Sequence, residues 1–129
     1  MNTTVAPATI APPAANYAHA VLSAAPARWL HTAGVVATRP DGSVPDSIGE
    51  QAEVVWANLA EILAAADMVA TDVVSITTYV VVEHLAALGT VMAARDSALR
   101  GHVAASTLVT VPALARAEWK LEIALIAAA

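Results

Sequence analysis

The sequence predicts an α+β domain, with a mixed sheet that carries two helices on one face and elements in the order βββαβαββ. Three observations predict it. Two segments with apolar residues at helical spacing, about 48–66 and 85–99, are separated by a β-branched run from Val73 to Val82. Two further apolar strands, at about 104–111 and 118–127, close the chain. The length, 129 residues, suits one core, and mixed strands with two helices layer most simply as one sheet beneath both helices.

Each element has a local reason. Residues 1–13 are rich in Ala, Thr and Pro and are expected to be a flexible lead-in to a domain at 14–129. Residues 17–24 and 28–37 read as strands on either side of Ala25-Pro26. Pro40-Asp41-Gly42-Ser43 is a turn, because Pro presets φ and Gly accepts positive φ. A short strand or extended piece ends at Pro45. Ser47-Ile48-Gly49-Glu50 has the form of a capping box. Ile48, Ala52, Val55, Leu59, Ile62 and Leu63 then follow at helical spacing. Asp67 and Thr71-Asp72 mark the break before the Val73 strand. Leu85, Leu88, Val91, Met92, Arg95 and Leu99 give the second helix, which ends near Gly101.

Composition limits the function. Hydrophobic residues make up 58% and charged residues 13%, against roughly 45–50% and 25% in typical domains. The excess favours surface buried against other copies of the chain; an alanine-rich composition bias is the competing explanation. The formal charge is −5, Lys120 is the only lysine, and the arginines are scattered. Phosphate backbones need concentrated positive charge, so nucleic acid is not expected as a partner. Without cysteine there is no disulfide, no thiolate metal site and no Cys nucleophile. The four histidines show no ligand spacing such as H-x-x-x-H, so no metal site is expected. No apolar run reaches the length of a membrane span, the first residues lack the basic region of a signal peptide, and a cytoplasmic protein is the expectation.

Polar residues that interrupt apolar strands are few, and Glu122 is the foremost. It stands between Leu121 and Ile123. Partial desolvation there suits a carboxylate to general acid/base work; the competing reading is a solvent-facing or ion-paired glutamate. Arg95, on the core-facing side of the second helix, is the one cation with a route into a cleft from another direction; a solvated or inter-subunit salt bridge is the favoured reading. No Ser-His-Asp arrangement is visible.

These segments together resemble the RidA/YjgF family of reactive-intermediate deaminases. The resemblance runs from Pro13 to Ala128. It rests on Asn16-Tyr17, Leu30-His31-Thr32-Ala33-Gly34, Pro40-Asp41-Gly42, the helix from Gln51 to Ala66, Ala105-Ser106-Thr107-Leu108-Val109, and Trp119-Lys120-Leu121-Glu122-Ile123. It implies a chorismate-mutase-like fold and a homotrimer with small-molecule clefts between subunits. The implied activity is hydrolysis of enamines and imines such as 2-aminoacrylate, without a cofactor.

Tyr17 and Glu122 match the family's site tyrosine and glutamate, which makes them the catalytic candidates. Gly34 matches a glycine whose backbone amide meets substrate. His31 lies just before that segment and His102 just before the penultimate strand, as candidate cleft residues; a structural role competes for each. The pattern departs where the family's arginine grips the substrate carboxylate. That position holds Ala105, or Ser106 if the alignment slips by one. Val35 and Met92 replace a glutamine and an asparagine. A hydroxyl from Ser106 or Thr107 can bond a neutral ligand group but cannot hold a carboxylate as arginine does. Three readings follow: a deaminase for substrates without an α-carboxylate, another cofactor-free hydrolysis or cyclisation in the same cleft, or a non-catalytic ligand-binding trimer. The missing arginine predicts little or no activity on 2-aminoacrylate.

Overall fold

The computed structural model describes residues 1–129. Its elements are β1 (Asn2–Val5), β2 (Ala20–Ser23), β3 (Trp29–His31), α1 (Ile48–Ala65), β4 (Val73–Val81), α2 (Leu88–Leu99), β5 (Ala105–Val111) and β6 (Leu121–Ala128), with short 3₁₀ turns at Ala70–Asp72 and Val82–Ala87. The order βββαβαββ holds; the strands expected at 17–24 and 28–37 form over shorter spans, and the remaining leading strand is not the one expected. The short strand or extended piece expected to end at Pro45 forms no strand. Asn2–Val5 supplies the extra one, pairing antiparallel with Ala20–Ser23.

The reasons are local. Around Pro40-Asp41-Gly42-Ser43 the chain satisfies itself: Gly42 N–H donates to the Arg39 carbonyl, Arg39 N–H to the Ser43 carbonyl, and Ser43 N–H to Asp41 Oδ1. The segment between Pro40 and Pro45 therefore has little left to offer a ladder. The first residues, expected to be flexible, are tied down instead. The Met1 ammonium donates to the Ala24 carbonyl at 2.8 Å, and Asn2 Nδ2 to the Ala128 carbonyl at 2.7 Å.

The single expected sheet is two sheets. β1 and β2 form a small one; the main one has the order β3-β6-β4-β5, with only the β4–β5 pair parallel. One face of the main sheet is the core side. Leu121, Ile123, Leu125 and Ala127 of β6 and Ile76 and Val80 of β4 join Val55, Leu59 and Leu63 of α1 and Val91 and Leu99 of α2 in one buried cluster. Alternation sends Glu122, Ala124, Ile126, Ser75, Thr77 and Tyr79 to the other face, where all remain partly exposed and no helix covers them.

Both helices are capped by their own chemistry. Ser47 Oγ accepts the Glu50 N–H at 3.1 Å, while the Glu50 carboxylate turns to Arg39. At the far end of α1 the Arg28 guanidinium donates to the Ala66 and Asp67 carbonyls, a favourable cation at a helix C-terminus. Arg100 and Gly101, both at positive φ, end α2.

Buried Gln51 fixes the start of β6. Its Nε2 donates to the Pro45 and Glu118 carbonyls, each at 2.8 Å, and its Oε1 accepts the Lys120 N–H at 3.0 Å.

Candidate functional site

The candidate site grows from an irregularity beside β6. His31 opposes Ile126, but Val35, four residues on, opposes Ile123, only three residues back. One extra residue is therefore inserted between them, a bulge of the kind that re-aims side chains. It explains why the strand expected at 28–37 survives only as Trp29–His31 and a bridge at Val35. Thr32 takes up the slack: its N–H donates to the Leu125 carbonyl, and its Oγ1 accepts the Leu125 N–H while donating to the Ala33 carbonyl. The N–H groups of Ala33 and Gly34 are left free of any partner in the chain.

The Glu122 side chain folds directly against that bulge. A Cβ built on Gly34 would lie 2.3 Å from Glu122 Oε2 and 2.5 Å from its Cδ. Glycine is required there for space, not for backbone freedom. The ammonium of Lys120, two residues before Glu122, donates to the Asp46 carbonyl. No hydrogen bond or ion pair within the chain engages the Glu122 carboxylate. A free carboxylate beside free backbone donors can hold water or take a proton while the amides steady developing negative charge.

Tyr79 is the direct cross-strand partner of Glu122, on the same uncovered face. Sequence reading passed over it. The signal was available in its alternate position on β4, but identifying its neighbour requires the strand register.

The other candidates separate into groups. His31 and Thr32 line a depression of about 190 Å³ with Ser75, Thr77, Ala124 and Ile126, on the same face but further along it. Ala105 and Thr107 oppose Ser75 and Thr77 and also belong to this face. Ser106 faces the helices, where Arg95 reaches it at 3.5 Å. Arg95 does not approach the cleft: it is buried and pairs with Asp96 at 2.8 Å. His102 is turned away as well, its Nε2 donating to the Val73 carbonyl at 2.7 Å.

Tyr17 sits at the outer edge of β5, where Ala18 bridges Ala105. Its hydroxyl accepts the Ala14 N–H at 3.4 Å, and its ring meets His19 edge-on. Asn16 beside it donates to Asp96, which ties this loop to the Arg95 pair. Three strand spacings and about four residues along the strands separate Tyr17 from Glu122, a distance of about 20 Å. The two side chains cannot meet within one chain.

Two larger hollows, about 500 and 430 Å³, flank Trp56 on the helical side. The larger has a mixed lining that includes Glu53, Thr90 and Ser97, the smaller is mainly apolar, and both lie away from the Glu122 face. No three His, Cys, Asp or Glu side chains gather closely enough to hold a metal ion. No helix is long and apolar enough to cross a membrane.

A family model described as endoribonuclease L-PSP matches residues 8–129. Among solved structures, YyfB of the Rid protein family from Yersinia pestis is 32% identical, covering 99% of this chain and 98% of that one, with a TM-score of 0.90. Yeast Mmf1 is 25% identical over 99% and 98% of the two chains, with a TM-score of 0.71. E. coli TdcF, solved with bound serine, is 23% identical over 96% and 93%, with a TM-score of 0.72. No curated protein matches the chain.

Proposed function

Because the chain belongs to the endoribonuclease L-PSP family, which includes the Rid proteins, we propose that it hydrolyses imines or enamines lacking an α-carboxylate, in clefts between the subunits of a homotrimer. The observation that carries this reading is the Glu122 carboxylate, free of partners and pressed against Gly34 beside two unused backbone N–H groups. In the proposed step, Glu122 takes a proton from water as its oxygen adds to the imine carbon. The proton passes to nitrogen, the C–N bond breaks, and a carbonyl compound and an amine or ammonia leave. Atoms balance with water as the only co-reactant, and nothing is oxidised or reduced.

Two features support the shared cleft. The uncovered sheet face holds Glu122, and Tyr17 lies about 20 Å from it within one chain. A neighbouring copy is the simplest supplier of a Tyr17 hydroxyl to each Glu122. Ala105 supports the restriction on substrate, since this face carries no arginine to pair with a carboxylate. The same alanine favours a second reading, a trimer that binds its ligand without turning it over. RNA cleavage, which the family description names, is not adopted, because the face lacks cations to meet phosphates.

The test follows imines generated in situ by an amine oxidase or an amino-acid oxidase, with semicarbazide as competing trap. Faster loss of a carboxylate-free imine, abolished in Glu122→Gln, is the expected result. Coexpressed Tyr17→Phe and Glu122→Gln chains should regain part of the activity in mixed oligomers. No acceleration on any imine would overturn the hydrolase reading and leave the binding trimer.

A further inference from the structure

We propose that the hollow between the C-terminal ends of α1 and α2 is a second ligand site, which takes a compact aromatic carboxylate: its ring against Trp56, its carboxylate on Arg100. This site lies on the helical side of the main sheet, away from the Glu122 face, and does not depend on what that face does.

The hollow has the size and lining of a small-molecule site. Its volume is about 430 Å³, and such sites span about 300–1,000 Å³. Ala60 and Ala64 stand one turn apart on α1 and face Ala98 of α2 across the gap. None of the three has enough side chain to close it. Trp56, Leu63 and Met68 supply the apolar wall. An indole ring and a thioether both favour an aromatic guest. The indole N–H of Trp56 is buried and has no acceptor in the chain, where buried indole donors usually find one.

Arg100 sets the charge of the guest. It is the only charged residue of the lining, and it is exposed at the rim. Among the six Lys and Arg residues, Arg39, Arg95 and Arg116 pair with Glu50, Asp96 and Glu118. Arg28 and Lys120 are held by backbone carbonyls. Arg100 alone has a side chain with no hydrogen bond or ion pair in the chain. Its backbone is left-handed, with φ 50° and ψ 44°, where glycine is the usual residue and a Cβ is strained. A cation does complement a helix C-terminus, but one in the last turn would do so without that strain, and the last turn of α2 holds none. At the rim of an apolar hollow, a free guanidinium fork matches a carboxylate bidentately.

The test uses the full chain and three ligands of similar shape: 2-naphthylacetate, 2-(2-naphthyl)ethanol and 2-(2-naphthyl)ethylammonium, titrated by calorimetry and by NMR. The carboxylate is expected to bind about fivefold tighter than the alcohol, and the ammonium weakest. Arg100→Asn removes the charge and keeps a residue that tolerates the left-handed backbone. It should bring the carboxylate down to the affinity of the alcohol. Arg100→Gly, unstrained at this φ, should do the same. Ala64→Leu, on an exposed turn of α1, fills the hollow and should weaken all three ligands about tenfold. The Trp56 indole N–H signal should shift on binding, and the Gly34 amide should not. Circular dichroism confirms that each variant is folded. No saturable binding of the carboxylate, equal or tighter binding of the ammonium, unchanged affinity in both Arg100 variants, or binding that survives Ala64→Leu would overturn the proposal. Glu122→Gln should leave naphthylacetate affinity unchanged, so failure of this site and failure of the hydrolase reading are separate results.

Discussion

Replacing Gly34 by alanine separates the stability of this fold from the working of its site. The new Cβ would lie 2.3 Å from Glu122 Oε2, 2.5 Å from Cδ and 2.8 Å from Cγ. Ordinary contact begins near 3.4 Å, so the carboxylate must retreat by about 1 Å. What moves is the far end of a flexible side chain, not backbone. An off-rotamer glutamate costs about 0.5–1.5 kcal/mol. Against that, alanine restricts the unfolded chain and returns about 0.4–1 kcal/mol where the backbone permits it, and Gly34 is not at positive φ. The expected net change in stability is within about 1 kcal/mol of zero.

On the proposed mechanism the effect on rate is expected to be far larger. A displacement of about 1 Å in a catalytic group costs on the order of 100-fold in rate. Urea unfolding and imine hydrolysis, measured on Gly34→Ala, should therefore diverge: near-wild-type midpoint, near-absent rate. A double-mutant cycle with Glu122→Ala sharpens the test, because in that background the clash is gone and the stability cost of alanine should vanish. Full activity in Gly34→Ala would show that the carboxylate does not work from its position on the bulge. A loss of about 3 kcal/mol or more, persisting without Glu122, would show that the glycine serves the backbone instead.

Three further outcomes are expected. Asp96→Ala leaves the Arg95 guanidinium, 7% exposed, without its partner, and should cost about 3 kcal/mol in urea unfolding; Arg95→Met, which removes the charge itself, should cost less. Gln51→Leu strips partners from the Pro45 and Glu118 carbonyls and the Lys120 N–H, and should cost about 2–4 kcal/mol, with hydrogen exchange rising at the start of β6. The Ser43 hydroxyl, then the Ser43 N–H, hold the exposed Asp41 carboxyl below its ordinary value. That contribution to the turn is present above the ordinary aspartate value and fades as pH falls through the lowered one. Ser43→Ala should move the Asp41 titration upward by NMR.

Much of the fold was legible because its signals are local. Ser47 and the apolar spacing after it fix α1, and the alternation Leu121-Glu122-Ile123-Ala124-Leu125 fixes both β6 and the face on which Glu122 stands. Where pairing depends on residues distant in the chain, sequence reading ran out. Asn2–Val5 looks like a loose tail until Ala20–Ser23 is brought alongside it. The stretch ending at Pro45 reads as a strand or extended piece but has no partner strand. Ser106 and His102 sit next to residues of the uncovered face, yet one turns to Arg95 and the other to the Val73 carbonyl. A shift of one residue along a strand reverses the face, and nothing local announces it.

The bulge and the missing arginine bear on the same sheet face. The extra residue before Val35 frees two backbone donors and opens the space above Gly34 that Glu122 occupies. The family resemblance expects an arginine at Ala105, or at Ser106 if the alignment slips by one; the uncovered face of the main sheet carries none, and Glu122 and Tyr79 stand opposite each other on it. On the proposed reading, a face with a carboxylate and no arginine does not draw in a substrate carboxylate. Imines without a carboxylate are therefore the substrates to measure first, and 2-aminoacrylate is expected to turn over slowly or not at all beside them.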